Sequence, residues 1–268
     1  IKDLAVYTNV NSRIICPISL PPLGSVFVMF RKDQQITHIN KIIRNSKPIF
    51  PAVEPLSDDS PALDVSPLGD QTILLDAWQA GKYQLIANTS KKYEIDVPDV
   101  PEPIEIGGNW ILKFPPGWGA PDSVRIERLI SWTEHPDHGI KYFSGTAVYH
   151  KTFEMNNDVL KKDTKYILDL GKVGNIAEIV LNGQTLPIQW KPPYRADVTP
   201  WLHAGKNELQ IKITNLWPNR LIGDQFLPAE QRYAFTNIAK FTKISLLLES
   251  GLLGPVKIYI VPQIRVQL

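Results

Sequence analysis

The chain has 268 residues, 43% hydrophobic and 21% charged with 16 glycines, a balance that excludes disorder and fibrous repeats and fits one large or two ordinary globular domains. Its 29 Lys and Arg against 27 Asp and Glu leave a formal charge of +2, which excludes the concentrated basic surface that phosphate-backbone binding relies on. A single cysteine, Cys16, excludes an intrachain disulfide and any multi-cysteine metal centre, and no apolar run approaches the roughly 18 residues of a bilayer span.

Proline stands at 23 residues, well above the usual level of about 5%, and favours short strands and turns over long helices. In chain order, the first strand signal is Ser25-Val26-Phe27-Val28-Met29-Phe30. Residues 48–67, rich in Pro, Ser and Asp, predict a long surface loop. Alternating or apolar runs at 72–75, 83–87 and 93–97 predict further strands. Pro98-Asp99-Val100-Pro101-Glu102-Pro103 reads as a stiff extended connection. It places a boundary between an N-terminal domain, 1–103, and a second, 104–268. Short helical turns are expected within 122–132 and 237–241. Segments 147–153, 165–170 and 208–214 alternate with a period of two, as half-buried antiparallel strands do. The apolar run 176–181 ends in Asn182-Gly183, a dipeptide suited to the positive φ angles of a hairpin turn. Stretches 256–261 and 264–268 add one or two last strands. The fold class expected is all-β, two β-sandwich domains. The start at Ile1, without initiator Met or an apolar leader, is read as the mark of a processed or excised piece, with a first sandwich that lacks strands or leaves an edge unpaired.

Phosphate-binding glycine loops and the G-x-S-x-G nucleophile elbow are both missing from the sequence. Ser144 in Phe143-Ser144-Gly145 reads as a turn residue opening a strand rather than a nucleophile. Trp132-Thr133-Glu134-His135-Pro136-Asp137-His138 gathers two imidazoles and two carboxylates, but lacks the H-E-x-x-H spacing, and Pro136 prevents a regular helix through it. It reads first as a solvated polar loop, with a metal site or sugar hydrogen bonding as alternatives. Glycosidase chemistry needs two carboxylates flanking a scissile bond, and no spacing here selects a pair, so no catalytic residue is assigned. Of seven tryptophans, Trp118, Trp190, Trp201 and Trp217 lie in Pro, Gly or Asn-containing stretches. A loop tryptophan can present its face to a sugar ring while neighbours hydrogen-bond the hydroxyls, or it can plug the end of a sandwich. Trp190, Tyr194 and Arg195 in one stretch, and Trp217, Asn219 and Arg220 in another, are the candidate sugar contacts.

From Tyr142 onward, the run Tyr142-Phe143-Ser144-Gly145-Thr146-Ala147-Val148-Tyr149-His150-Lys151-Thr152-Phe153, then Leu168-Asp169-Leu170-Gly171-Lys172-Val173, Ala177-Glu178-Ile179-Val180-Leu181-Asn182-Gly183, Pro193-Tyr194-Arg195-Ala196-Asp197-Val198-Thr199 and Gly205-Lys206-Asn207-Glu208-Leu209 resembles the sugar-binding domain of glycoside hydrolase family 2. The resemblance implies a galactose-binding-like jelly roll for 104–268. Asn215-Leu216-Trp217-Pro218-Asn219-Arg220-Leu221-Ile222-Gly223-Asp224, Ser250-Gly251-Leu252-Leu253-Gly254-Pro255-Val256 and, upstream, Pro22-Leu23-Gly24-Ser25-Val26-Phe27-Val28-Met29-Phe30-Arg31 are similar to the C-terminal end of glycoside hydrolase family 106 enzymes, the α-L-rhamnosidases. Where many family 2 enzymes carry an acidic, aromatic stretch that reaches the catalytic site, this chain has Lys243-Ile244-Ser245-Leu246-Leu247-Leu248-Glu249. That contact is expected to be lost or moved, with Asp224 as a substitute.

The resemblance therefore implies a non-catalytic C-terminal accessory region of a bacterial, periplasmic or extracellular glycoside hydrolase. Its partners would be the upstream catalytic domain of the same polypeptide and a rhamnose-containing glycan, with no nucleic acid and no membrane span. A purely structural scaffold without sugar binding is the alternative, and a small enzyme built on Glu134, Asp137 and His138 is a third reading. No cofactor is expected. A structural Ca²⁺, which jelly-roll modules often carry, is left open, with Asp58, Asp59, Asp137 and Asp224 in loops where one could sit.

Overall fold

The computed structural model describes residues 3–20, 24–30, 36–51, 61–69, 71–238 and 240–268. Strands follow in the order β1 (Thr8–Val10), β2 (Arg13–Ile15), β3 (Ile39–Arg44), β4 (Lys47–Phe50), β5 (Leu63–Gly69), β6 (Thr72–Ala77), β7 (Gly81–Ala87), β8 (Lys92–Val97), β9 (Ile104–Glu105), β10 (Trp110–Lys113) and β11 (Ser123–Ile126). A short helix α1 (His138–Lys141) precedes β12 (Thr146–Met155), β13 (Thr164–Asp169), β14 (Lys172–Gly174), β15 (Ile176–Leu181), β16 (Gln184–Thr185), β17 (Arg195–Asp197) and β18 (Gly205–Thr214). A second helix, α2 (Pro218–Asp224), is followed by β19 (Gly251–Gly254) and β20 (Lys257–Gln267). The chain divides into two compact units, one of residues 1–102, 162–165 and 260–268, the other of 103–161 and 166–259. It is all-β, built of sandwiched sheets, as its alternating patterns predict.

In the first unit an antiparallel sheet runs β4-β3-β7-β8, and β6 pairs with β5 on one side and with residues 263–267 of β20 on the other. The core draws on both: Ile39, Ile42, Tyr83, Leu85 and Val97 from the first sheet, Leu63, Ile73, Leu75 and Val266 from the second. Each such side chain removed from water contributes about 1.5–3 kcal/mol. Buried Asp76 accepts from Lys165 Nζ at 2.8 Å and from Gln263 Nε2 at 2.7 Å, which ties 162–165 and the end of β20 to β6.

Two expectations fail in this unit. The stretch 48–67 is not all loop: its ends belong to β4 and β5, and 52–60, with Asp58 and Asp59, lie outside the described residues. Both strands close their sheets as edges, where Pro48 and Pro67 remove few ladder bonds. Residues 25–30 form no strand although they are apolar, and Phe27 is 98% exposed.

The second unit is organised on a six-stranded antiparallel sheet, β11-β10-β12-β18-β15-β16. Its centre is a ten-residue ladder in which 146–155 of β12 pair with 205–214 of β18, while β15 pairs with 209–214. The period of two puts Ala147 and Tyr149, Leu209, Ile211 and Ile213, and Ala177, Ile179 and Leu181 on one buried face. Pairs β13 with β17, β14 with β19, and β9 with 257–258 of β20 complete it. Asn182 and Gly183, at φ 50° and 82°, make the left-handed turn between β15 and β16. An aromatic group of Phe114, Trp132 and Phe143, with centroids 4.8–5.8 Å apart at steep angles, fills one end of the core. In 122–132 the main element is β11 rather than a helical turn, with a 3₁₀ turn at Trp132–Glu134 instead, and the described part of 237–241 is not helical. Both α-helices lie where no helix is expected from sequence.

Candidate functional site

The start of β12 and the end of β18 meet at a polar clasp. Asn215 accepts from Gly145 N at 2.9 Å and donates to Phe143 O at 2.8 Å, fixing the Phe143-Ser144-Gly145 turn. Ser144 Oγ donates to Leu216 O at 2.9 Å and accepts from Arg220 N at 3.1 Å. It thus joins that turn to α2, a structural role consistent with its reading as a turn residue. Trp217 precedes α2 and Pro218 opens it, a position where a missing N–H costs nothing.

On this helix the candidate residues separate by exposure. Trp217 stands 74% exposed, whereas Asn219, Arg220 and Asp224 are 1%, 5% and 2% exposed. Asn219 donates from Nδ2 to Leu248 O at 2.7 Å and accepts from Leu248 N at 2.8 Å, pairing with the returning chain like one rung of a sheet. Asp224 accepts from Ala234 N at 2.8 Å and Tyr233 N at 3.3 Å. Its Oδ1 lies 2.9 Å from Arg220 Nε. The Nε–H does not point along that line and has no aligned acceptor, so the contact is an ion pair without a hydrogen bond. The Arg220 guanidinium carbon sits 4.8 Å from the Tyr233 ring centroid. Asp224 is therefore engaged within its own helix and the following loop.

The second candidate stretch behaves alike. Trp190 is 67% exposed, with Lys191 Nζ 5.1 Å from its ring centroid. Tyr194 is buried and donates its hydroxyl to Asn175 O at 2.7 Å, and burial raises its pKa above the ordinary phenol value. Arg195 Nε bonds to Asp169 Oδ2 at 2.7 Å, and its guanidinium lies over Tyr259. In each stretch one tryptophan faces outward, while the polar residues beside it in sequence hold the fold together. Trp118 is also exposed.

The His and carboxylate loop is largely occupied by capping. Asp137 Oδ1 accepts from Ile140 N at 3.1 Å as the N-cap of α1, His135 Nδ1 accepts from Asp137 N at 3.1 Å, and Trp132 is buried. Pro136 falls between the 3₁₀ turn and α1, so no helix runs through the cluster. Among the described residues no group of three or more His, Cys, Asp or Glu side chains is placed to hold a metal ion, and the Ca²⁺ candidates Asp137 and Asp224 have the partners given above.

Tyr233 and Gly223 were not singled out by sequence. A Cβ at Gly223 would stand 2.5 Å from both Arg220 Nη2 and Tyr142 Cβ, so only glycine leaves room there for the guanidinium. Tyr233 is 13 positions from Arg220 with no periodic relation to it. The segment that follows α2 carries Phe235, Ile238, Ile244 and Leu246 as exposed side chains.

Over 185 aligned positions the chain is 43% identical to a putative beta-glucuronidase of Formosa agariphila, covering 60% of this chain and 16% of that protein. A rhamnosidase structure from Novosphingobium sp. PP1Y is similar at TM-score 0.56 and 25% identity, over 74% of this chain and 23% of that one. A beta-glucuronidase from an uncultured Clostridium sp. aligns at TM-score 0.44 and 21% identity over 63% and 30%. The chain thus spans less than a third of each of these relatives. Residues 136–234, which hold α1, the central strands and α2, match the family model of the glycosyl hydrolase 2 galactose-binding domain-like fold.

Proposed function

We propose that this chain is a non-catalytic accessory region of a bacterial, periplasmic or extracellular glycoside hydrolase of the α-L-rhamnosidase kind. It packs beside the catalytic barrel of a longer polypeptide and contacts glycan through loop tryptophans. The observation that carries the reading is the sorting of side chains on α2: Trp217 stands out in solvent above Asn219, Arg220 and Asp224, which are buried and held. An aromatic face on a fixed base is what stacking against a sugar ring needs, since little freedom is lost on binding. Trp190 offers a second such face.

The reading is tested by titrating the chain with rhamnose-containing oligosaccharide while following tryptophan emission. A saturable shift that Trp217→Ala reduces supports it, and an unresponsive spectrum rejects glycan contact. Hydrolysis of an aryl rhamnoside, abolished by one Asp or Glu substitution, would overturn the non-catalytic assignment. A purely structural scaffold is the second reading, favoured by the exposed Phe235, Ile244 and Leu246, which suit a protein surface better than a sugar. Under it the spectrum stays still and the isolated chain self-associates.

A further inference from the structure

We infer that Arg220 forms an oxyanion site, and that the sugar met by this face is an acidic one. The inference rests on the glycan-contact reading above and deepens it. A guanidinium has five N–H donors in a planar fork and cannot lose its charge. Burying it is tolerated where acceptors meet those donors. Asp224 supplies charge at 2.9 Å on the Nε side, but its carboxylate already takes the Tyr233 and Ala234 amides, and Nε–H is left without an aligned acceptor. Nη1 and Nη2 find no acceptor among the described residues, and the 6% of the side chain that reaches solvent does not include Nε. The outer edge of the fork is thus the part with donors left for a ligand.

The surroundings hold this edge in place. Tyr233 covers one face of the guanidinium at 4.8 Å, and the bare Cα of Gly223 makes room for Nη2. The Arg220 backbone is anchored through Ser144 Oγ. A long side chain so confined keeps its fork pre-organised for a bidentate oxyanion, the geometry in which arginine outperforms lysine. The segment after the helix is basic on balance: residues 225–248 carry Arg232, Lys240 and Lys243 against Glu230. Trp217 lies three positions before Arg220, one turn along the same helix face. A ring stacked at Trp217 and an anionic substituent at Arg220 can therefore belong to one residue of a glycan. The shared chemistry is an oxyanion on a sugar ring, a uronate carboxylate or a sulfate ester.

The test is a titration of the ¹⁵N-labelled chain with glucuronate, glucose 6-sulfate and glucose, following the arginine Nε–Hε NMR signals and tryptophan emission. The Arg220 signal is assigned by its loss in Arg220→Lys or, if that variant does not fold, through its own backbone. The expected result is a saturable displacement of that signal by an acidic sugar, with glucose binding at least about tenfold more weakly. Which acidic sugar acts identifies the oxyanion as carboxylate or sulfate. An Arg220 signal unmoved up to roughly 50 mM of either acidic sugar, or equal binding of glucose, overturns the site. If glucose or a neutral rhamnoside still shifts Trp217 emission, the glycan-contact reading survives that failure. If no sugar moves either probe, both fall.

Discussion

Asn219 separates a structural from a ligand-binding account of α2 most sharply. Its amide exchanges two hydrogen bonds with Leu248, at 2.7 and 2.8 Å, and the residue is 1% exposed. Asn219→Ala removes both partners at once, leaving the backbone N–H and C=O of Leu248, a residue itself 44% exposed, without a side-chain partner. At about 0.5–1.5 kcal/mol for each hydrogen bond lost, with water able to reach the freed groups, the loss is about 1–3 kcal/mol. For a domain of this size each kcal/mol lowers the melting temperature by about 2–4 °C, so a fall of about 2–12 °C is expected in the transition of the second unit. Asn219→Asp keeps the acceptor for Leu248 N and sets a carboxylate against Leu248 O, so it should be no more stable than the alanine variant. Thermal unfolding followed by near-ultraviolet dichroism, with hydrogen exchange at the Leu248 amide, gives the assay. A melting temperature within about 1 °C of the parent together with a lost sugar response would refute the reasoning, because Asn219 would then be a ligand contact and not a pin.

Other perturbations give equally definite outcomes. Tyr149 Oη accepts from Trp132 Nε1 at 2.6 Å and Leu252 N at 2.9 Å inside the core, so Tyr149→Phe should cost about 2–4 kcal/mol in urea unfolding by orphaning two donors. Gly223→Ala drives a methyl into Tyr142 and Arg220 and should lower stability by about 1–3 kcal/mol or more in the same measurement. Trp217→Ala and Trp190→Ala should each change stability by no more than about 0.5 kcal/mol, since both rings are exposed, while weakening any sugar response. His150 is held below its ordinary value of 6.5, first by burial and then by Lys113. As pH falls through 6.5 the unfolded chain takes up the proton before the folded one, so stability declines until the folded group titrates too. The slope should vanish in His150→Gln, and above pH 6.5 the two proteins should show the same pH dependence.

Much of the second unit was legible because a period of two is a direct record of which face is buried. Glu208 to Thr214 and Ala147 to Phe153 lie in β18 and β12 in the expected alternation, the apolar run Ile176 to Leu181 is β15, and Asn182-Gly183 takes the turn its positive φ angles allow. What misled was chemistry that changes meaning with position. Proline argues against a strand, yet Pro48 and Pro67 sit on edge strands. Pro262 lies inside β20 between the part paired with β9 and the part paired with β6. The run at 25–30 has the side chains of a strand, but Phe27 and Phe30 stay exposed and no described neighbour pairs with it. Helix α2 holds only seven residues, among them Pro218, Asn219 and Gly223, too short and too poor in helix formers to announce itself. It forms because Ser144 and Asn219 connect it to two other parts of the chain.

The candidate site shows where reading by residue type stops. Asn, Arg and Asp beside a loop tryptophan have the composition of a sugar site, and the same composition serves a helix that must satisfy backbone groups of a long irregular return. Asn182 illustrates the second use within the same unit: it bonds Trp201 O, Asn207 Oδ1 and Glu208 N while lying in the stretch that matches the galactose-binding domain-like model. Position relative to solvent decides between the uses, and that depends on Leu248, Tyr233 and Ala234, which meet α2 from 9 to 29 residues away. On that criterion Asn219 and Asp224 belong to the scaffold, and the two tryptophans face outward. Arg220 alone stands between the groups, its inner nitrogen sealed beside Asp224 and its outer nitrogens without an acceptor among the described residues. A scaffold needing only a counter-charge for Asp224 would be served as well by a shorter or less demanding cation. The unused half of the fork is therefore the feature that a purely structural account of α2 leaves without a reason.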